Sequence, residues 1–321
     1  MNDILIAEIS GKRPGDRKAR PTERFETQYD KVIISNNSEG YISDWPIVNV
    51  PDDYREWYIE NIKSSENAWY APMNRSYAIK YAREHGYKYL VQADDNITKL
   101  ELATLSAKEG TQKRLRKTSN HEMLDDFIKM FVCVLENTNA AMVGCTLSGI
   151  GEPEDGFLKE RYVYSLFALN LDVCPDIFQG DFEDDIEYRL KCAQKGLPVV
   201  QVVPLRYGKV GQALNKDLTG CRAEYAKAGL KRGEHMQRLY ADIYSCRMRN
   251  RSNAIMGKAA DENVYFKHII KPFKVGVIVK DMKPMKDCIN SIFQKYTEHK
   301  QDKIVIKEKK VKRKGIKNAS N

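Results

Sequence analysis

Apolar residues along the chain follow two patterns, short continuous runs and stripes that repeat every three or four positions. Short runs rich in β-branched and aromatic residues predict buried strands. Stripes at helical spacing predict amphipathic helices. The predicted strands fall at residues 3–9, 31–37, 87–93, 140–147, 162–171 and 197–203, and the predicted helices at 54–62, 71–86, 121–137 and 184–195. Strands that alternate with helices in this way predict an α/β fold, in which helices flank a mostly parallel, Rossmann-like sheet.

The strand at residues 87–93 ends abruptly in Asp94, Asp95 and Asn96. Acids and amides are poor strand formers, and ligands of an open α/β sheet bind beyond the carboxyl ends of its strands. Oxygen ligands at such a place suit Mg²⁺ or Mn²⁺, ions that often share their coordination with substrate phosphates. An ordinary acidic turn after a strand would have the same sequence, so both interpretations are open at this point.

A second acidic cluster opens the predicted helix at residues 184–195. Five acids fall within residues 181–187, among them the neighbours Asp184 and Asp185. The helix dipole favours acids in the first turn, which would explain them without any catalytic role. Their mutual repulsion could instead hold one carboxyl group protonated or poised as a base.

The order of these motifs carries more information than each motif alone. A helix that opens near Asn74 and Arg75 leads into the strand that ends in Asp94-Asp95-Asn96, and the Asp184-Asp185 helix follows later in the chain. Over roughly residues 1–207, this order resembles that of the GT-A nucleotide-sugar glycosyltransferases. The resemblance implies a GT-A core in which Mn²⁺ or Mg²⁺ binds the diphosphate of a UDP-sugar.

The same resemblance implies roles for individual residues. Asp94 and Asn96 would hold the metal ion, although Asn96 is an amide where the family usually has a carboxylate, and Asp95 would lie near the ribose. Asp185, with Asp184 as the second choice, would be the general base, and a single base opposite the leaving group implies inversion at the anomeric carbon. The other donor-side candidates are basic: Arg75 and Lys209 beside the diphosphate, and Arg13 and Arg17 in the loop of residues 10–21 around the nucleotide base.

Positive charge is concentrated in two parts of a chain whose net charge is +9. Residues 303–317 contain eight Lys or Arg and one Glu, and residues 206–251 contain eleven Lys or Arg and four acids. Clustered cations suit a polyanionic partner such as nucleic acid, because phosphate contacts release counterions. A solvated tail or an ordinary helix surface would have the same composition. In the second region, Tyr240 and Tyr244 accompany the cations in a helical pattern, which would suit base stacking.

These observations divide the chain into three parts. Residues 1–207 form the predicted nucleotide-sugar-binding and catalytic core, residues 208–275 a basic helical acceptor-side region, and residues 276–321 a C-terminal segment with a lysine-rich tail. No apolar run is long enough for a membrane span and no signal-peptide pattern is present, so we expect a soluble cytoplasmic protein without a membrane partner, in the host cytoplasm if it is phage-encoded. Seven cysteines without a Cys-X-X-Cys pair fit a reducing compartment.

The core also resembles phage glycosyltransferases associated with the enzymes that oxidise or hydroxymethylate DNA pyrimidines, the TET-associated type. This resemblance implies sugar transfer from a UDP-sugar to a hydroxymethylated pyrimidine, foremost 5-hydroxymethylcytosine, in double-stranded DNA. Two alternatives are open: a transferase with a polysaccharide or other non-DNA acceptor, and a non-catalytic nucleic-acid-binding protein on a degenerate GT-A scaffold, which Asn96 would favour. The sugar, the DNA context and the oligomeric state do not follow from the sequence.

Overall fold

The computed structural model of the protein describes residues 3–62, 70–108, 111–119, 122–148, 157–179, 183–209, 231–250, 264–271 and 275–298. Its strands are β1 (Ile4–Ser10), β2 (Asp30–Ser35), β3 (Ile47–Asn49), β4 (Tyr89–Asp94), β5 (Ile97–Lys108), β6 (Thr111–Ser119), β7 (Met142–Leu147), β8 (Leu158–Glu160), β9 (Leu166–Asn170), β10 (Val199–Lys209), β11 (Tyr244–Asn250) and β12 (Val264–Ile270). Its helices are α1 (Asp52–Asn61), α2 (Tyr70–Glu84), α3 (Leu124–Asn137), α4 (Asp184–Gln194), α5 (Lys231–Leu239) and α6 (Lys283–Glu298), with one 3₁₀ turn at Pro21–Arg24.

One large sheet organises the described part of the chain, in the strand order β3-β2-β1-β4-β9-β7-β10-β5-β6, with β8 paired to β10. The pairs β1–β2, β1–β4, β2–β3 and β7–β10 are parallel. β9 runs antiparallel to both of its neighbours, β4 and β7, so β4 and β7 point the same way. Most strands of the sheet therefore share one direction, and the predicted α/β class with a mostly parallel sheet is confirmed.

Helices cover both faces of this sheet. Along β1, Ile4 and Ile6 belong to the core that α3 and α6 cover, while Leu5 and Ala7 belong to the core that α1 and α2 cover. All seven residues of β1 are buried, as expected of a strand with a hydrophobic layer on each side. Burying each large aliphatic side chain stabilises the fold by about 1.5–3 kcal/mol, so the central strands are fixed firmly and can position the residues at their ends.

A third, smaller cluster attaches the residues beyond the sheet to α4. Ile186 and Leu190 of α4 pack against Met236 of α5 and against Tyr240 and Tyr244. β11 and β12 form a separate antiparallel hairpin that begins at this cluster. Residues 236–244 are therefore held against the helix that opens with Asp184 and Asp185.

Two predictions about secondary structure are wrong. Residues 100–120 are polar and charged in the sequence and predict a mobile loop, but β5 and β6 pair from Leu100 with Ser119 to Lys108 with Thr111. Leu100 and Leu102 are buried at alternate positions of β5, and the charged residues beyond them hide this short alternation in the sequence. The helical pattern of residues 220–250 gives only the nine-residue α5 and then strand β11, while residues 210–230 lie outside the described part.

In the described residues no helix has the length and apolar character needed to cross a membrane. The proposed division into three regions stays a prediction.

A substitution at Gly144 in β7 tests how tightly the centre of the sheet is packed. A Cβ atom at this position would lie 2.6 Å from the carbonyl oxygen of Leu166 and 2.9 Å from Cβ of Phe167, so the adjacent strand β9 would have to move. We expect Gly144→Ala to lower the free energy of unfolding by about 1–3 kcal/mol, measured by chemical denaturation. Gly208→Ala is the matched control, since its Cβ would meet only the flexible side chain of Lys99. Equal losses in the two variants would contradict this packing.

Candidate active site

The candidate site lies where β4 ends, at Asp94 and Asp95. The side chains of these two acids have different hydrogen-bond partners. Asp94 accepts hydrogen bonds from Arg75 and Lys209, whereas Asp95 accepts one from Ser10 and forms an ion pair with Arg13. Successive side chains of a strand point to opposite faces, which explains this separation. Asp94 and Asp95 therefore belong to two neighbouring groups of polar contacts.

Arg75 of α2 joins the two acidic clusters. Its Nη2 lies 2.5 Å from Oδ1 of Asp94 and its Nε lies 2.9 Å from Oδ2 of Asp184, while Nη1 donates to Oε1 of Gln92 at 3.2 Å. The guanidinium group also lies over the ring of Phe167, 5.3 Å from its centre. Burial alone would lower the pKa of Arg75, but the charges of Asp94 and Asp184 outweigh it and raise the pKa. Acids that lie ninety positions apart in the sequence thus share one buried cation.

Lys209, the last residue of β10, completes the environment of Asp94. Its Nζ lies 2.5 Å from Oδ2 of Asp94, so each oxygen of this carboxylate has a cationic donor. Burial would raise the pKa of Asp94, but Lys209 and Arg75 together lower it below the usual range. Asp94 is therefore held as an anion.

Asp95 lies next to the end of β1, where its partners are Ser10 and Arg13. Ser10 Oγ donates to its Oδ2 at 2.8 Å, and Arg13 Nε lies 3.0 Å from the same oxygen. Burial raises the pKa of Asp95 to about 6 despite the charge of Arg13. Thr22 fixes the turn that follows: its Oγ1 donates to the carbonyl oxygen of Asp94 at 2.6 Å and accepts from the amide of Ile97 at 2.9 Å.

Asp184 and Asp185 open α4 on the other side of Arg75. Asp184 is held by Arg75, whereas Oδ1 of Asp185 accepts the amide of Ile186 at 2.8 Å. Burial, followed by the charges of Asp184 and Glu183, raises the pKa of Asp185 well above that of an ordinary aspartate. Such a carboxylate is a stronger base than a solvated one, provided that it is deprotonated when substrate is bound.

Tyr164 and Ser165 connect β9 with both acidic clusters. Ser165 adopts a left-handed backbone conformation with a φ of 56°, and its carbonyl oxygen accepts the amide of Asp94 at 2.7 Å. Tyr164 is half-buried, and burial, followed by the charge of Asp185, raises its pKa. Sequence reasoning missed Ser10, Thr22 and Tyr164, because a hydroxyl group in an unremarkable stretch of sequence carries no motif.

The oxygen donors at the end of β4 fit a divalent cation. Oδ1 of Asn96 is buried and has no hydrogen-bond partner among the described residues, and the carboxylate of Asp94 belongs to the same acidic step. In the described part of the chain no three His, Cys, Asp or Glu side chains come together as a metal cluster. Mg²⁺ and Mn²⁺ sites often use only one or two protein carboxylates together with water and substrate phosphates, so Asp94 and Asn96 are the candidates for the protein's share.

Other predicted site residues lie in different places. Arg17 is half-exposed and pairs with Asp44, so it has no contact with the acidic step in this structure. In the sequence, His235 and His268 are each compatible with a third metal ligand, although neither has ligand spacing; His268 binds Glu183 through Nε2 at 3.0 Å instead. Tyr240 and Tyr244, considered for base stacking, are buried at 5% and 2% exposure. The side chain of His235 lies outside the described part.

Replacing Arg75 tests whether it holds the two clusters together. Arg75→Met would leave Asp94 and Asp184 without their shared cation, and we expect a loss of about 3–5 kcal/mol in the free energy of unfolding. The loss should shrink as the pH falls, because protonated carboxyl groups no longer need the cation. Lys80→Met is the control, since this exposed lysine of the same helix pairs with Glu84 at the surface and should cost about 1 kcal/mol or less. Equal losses, or a loss independent of pH, would contradict the role of Arg75.

Comparisons with known proteins show to which family the chain belongs. The chain matches no curated protein sequence. A solved structure from Desulfovibrio desulfuricans, described as a nucleotide-diphospho-sugar transferase, is 14% identical to the chain with a TM-score of 0.35, and the alignment covers 75% of this chain and 99% of that one. The family model of TET-associated glycosyltransferases matches residues 25–215, which include all the acids of the candidate site but not Arg13 or Arg17. The family predicted from the motifs is confirmed: the chain belongs to the TET-associated glycosyltransferases and is a glycosyltransferase.

Proposed function

We propose that the protein transfers a sugar from a UDP-sugar to a hydroxymethylated pyrimidine in double-stranded DNA, with 5-hydroxymethylcytosine as the first candidate. The observation that carries this proposal is the bridge from Asp94 through Arg75 to Asp184, because it brings a phosphate-side acid and a candidate base into one site. The association with TET enzymes in the family's name supports a modified DNA base as acceptor. The basic residues beyond the core support a polyanionic partner.

On the donor side, the residues around Asp94 would bind the diphosphate. Asp94 and Asn96 would hold Mn²⁺ or Mg²⁺, which when bound would neutralise charge on the leaving diphosphate. Lys209 is close enough to Asp94 to offer its ammonium group to the same phosphates. Asp95, with Arg13, would lie on the nucleoside side. Arg17 would join this side only if it left Asp44.

On the acceptor side, Asp185 would act as the general base. The oxygen of the base's hydroxymethyl group attacks the anomeric carbon, its proton passes to the carboxylate of Asp185, and the bond from that carbon to the UDP oxygen breaks. Attack opposite the leaving group inverts the anomeric centre. Because a base inside a duplex cannot reach a buried carboxylate, the target nucleotide would be flipped out of the stack.

The deciding experiment is an assay with hydroxymethylcytosine duplex DNA, Mn²⁺ and each of several UDP-sugars, followed by digestion to nucleosides and mass spectrometry. We expect a hexose or pentose mass on the modified base. Asp185→Asn should lower the rate by about 10²–10⁴-fold, and the acid limb of the wild-type kcat/KM profile should lie above an ordinary aspartate pKa of about 3.9. Asp172→Asn, an exposed acid away from the site, is the control.

Four results would contradict parts of this proposal. No mass change on any base would exclude this acceptor. Donor hydrolysis without base modification, together with no DNA retention at physiological salt, would favour a polysaccharide acceptor. Salt-sensitive DNA binding without any donor turnover would favour a non-catalytic nucleic-acid-binding protein. An acid limb at or below the ordinary aspartate value would exclude Asp185 as the base.

A substitution at Asn96 tests the proposed metal ligands separately from the proposed base. Asn96→Asp would add a negative charge at the unpaired Oδ1 position, so we expect Mn²⁺ to bind at least about tenfold more tightly, since even at the dielectric constant of water a divalent ion about 4 Å away gains about 2 kcal/mol from the added charge. The readout is the Mn²⁺ concentration that gives half of the thermal shift with UDP. Asn61→Asp, at the exposed end of α1, is the matched control. An unchanged Mn²⁺ dependence in Asn96→Asp would exclude Asn96 as a ligand.

A further inference from the structure

The hairpin of β11 and β12 has one face turned towards the protein. Tyr244, Cys246 and Ile270 pack against the cluster formed by α4 and α5, and Tyr244 is buried. The register pairs Tyr244 with Ile270 and Cys246 with His268, so these four positions share the inner face. The inner face therefore anchors the hairpin.

The opposite face of the hairpin is cationic. Arg247 is exposed, and in the register it stands directly opposite position 267, which is a lysine. Lys271, immediately after β12, is also exposed. Exposed cations close together on one face of the protein suit an anionic partner.

The hairpin is connected to the catalytic helix by polar contacts as well. His268 Nε2 lies 3.0 Å from Oε2 of Glu183, and its Nδ1 lies 2.8 Å from the hydroxyl oxygen of Tyr244. Glu183 directly precedes Asp184 and Asp185. A ligand on the outer face of the hairpin would thus be held at a fixed position relative to the candidate base.

We propose that the outer face of the β11–β12 hairpin, with Arg247 and Lys271, binds the phosphates of the acceptor duplex and so positions the target nucleotide at Asp185. This inference rests on the proposed function. Duplex DNA is the occupant that the charge favours, because its phosphates supply a continuous row of anions. A two-stranded ribbon is also narrow enough to enter the major groove, which is about 12 Å wide. The buried tyrosines of the inner face then support the hairpin instead of stacking on bases.

The test measures binding of a fluorescent hydroxymethylcytosine duplex to the full-length protein over a range of salt concentrations. The variants are Arg247→Glu, Lys271→Glu and the double variant. Lys286→Glu is the matched control, because it reverses an exposed lysine on α6, which covers the opposite face of the sheet from α1 and α2. We expect the double variant to bind at least about tenfold more weakly. The plot of the logarithm of the binding constant against the logarithm of the salt concentration should be shallower by about 2, since each lost phosphate contact reduces its slope by about 0.9.

The control outcomes separate this inference from the proposed function. A Lys286→Glu loss as large as that of the double variant would show general charge attraction and overturn the assignment of this face. A wild type that modifies duplex DNA while the double variant binds it normally would overturn the inference but leave the function standing. A wild type that neither binds nor modifies DNA would overturn both. Thermal unfolding checks that each variant is folded. If the double charge reversal does not fold, the milder pair Arg247→Gln and Lys271→Gln replaces it.

Discussion

The arrangement of this site depends on one buried cation, the guanidinium group of Arg75. A guanidinium stays charged at any physiological pH, and burying it without anions would cost several kcal/mol. The fold supplies Asp94 from the end of β4 and Asp184 from the start of α4, each within hydrogen-bond distance. The compensation of this one charge therefore holds a strand end and a helix start together.

The same cation gives neighbouring carboxylates different chemical properties. Asp94 has two cationic partners, which lower its pKa and keep it an anion suited to a cation and a diphosphate. Asp185 accepts the amide of Ile186 and lies beside Asp184 and Glu183, so burial and repulsion raise its pKa. Carboxylates whose pKa values are pushed apart in this way commonly divide the tasks of an active site. In the proposed function, this division corresponds to a donor side and an acceptor side.

The sequence predicted the parts of this structure that rest on strong local patterns. The strand before Asp94, the helix with Arg75 and the helix that starts at Asp184 all appear where the hydrophobic pattern placed them. The antiparallel position of β9 between β4 and β7 could not be predicted, because pairing depends on contacts between distant segments. The contact of Arg75 with both acids is likewise long-range, and the motif order only suggested it. The basic segment after the core was misjudged because its tyrosines are spaced as in a helix, while burial against α4 turns them inwards.

The most direct test of the central claim is a double-mutant cycle between Asp94 and Asp184, read as free energies of unfolding. Each single change to Asn leaves Arg75 with the other carboxylate, whereas the double change leaves the buried guanidinium without both of its acidic partners. We expect the double variant to lose more stability than the sum of the singles, by about 1–3 kcal/mol. Strict additivity would mean that the two acids do not share this cation, and the site described here would not exist.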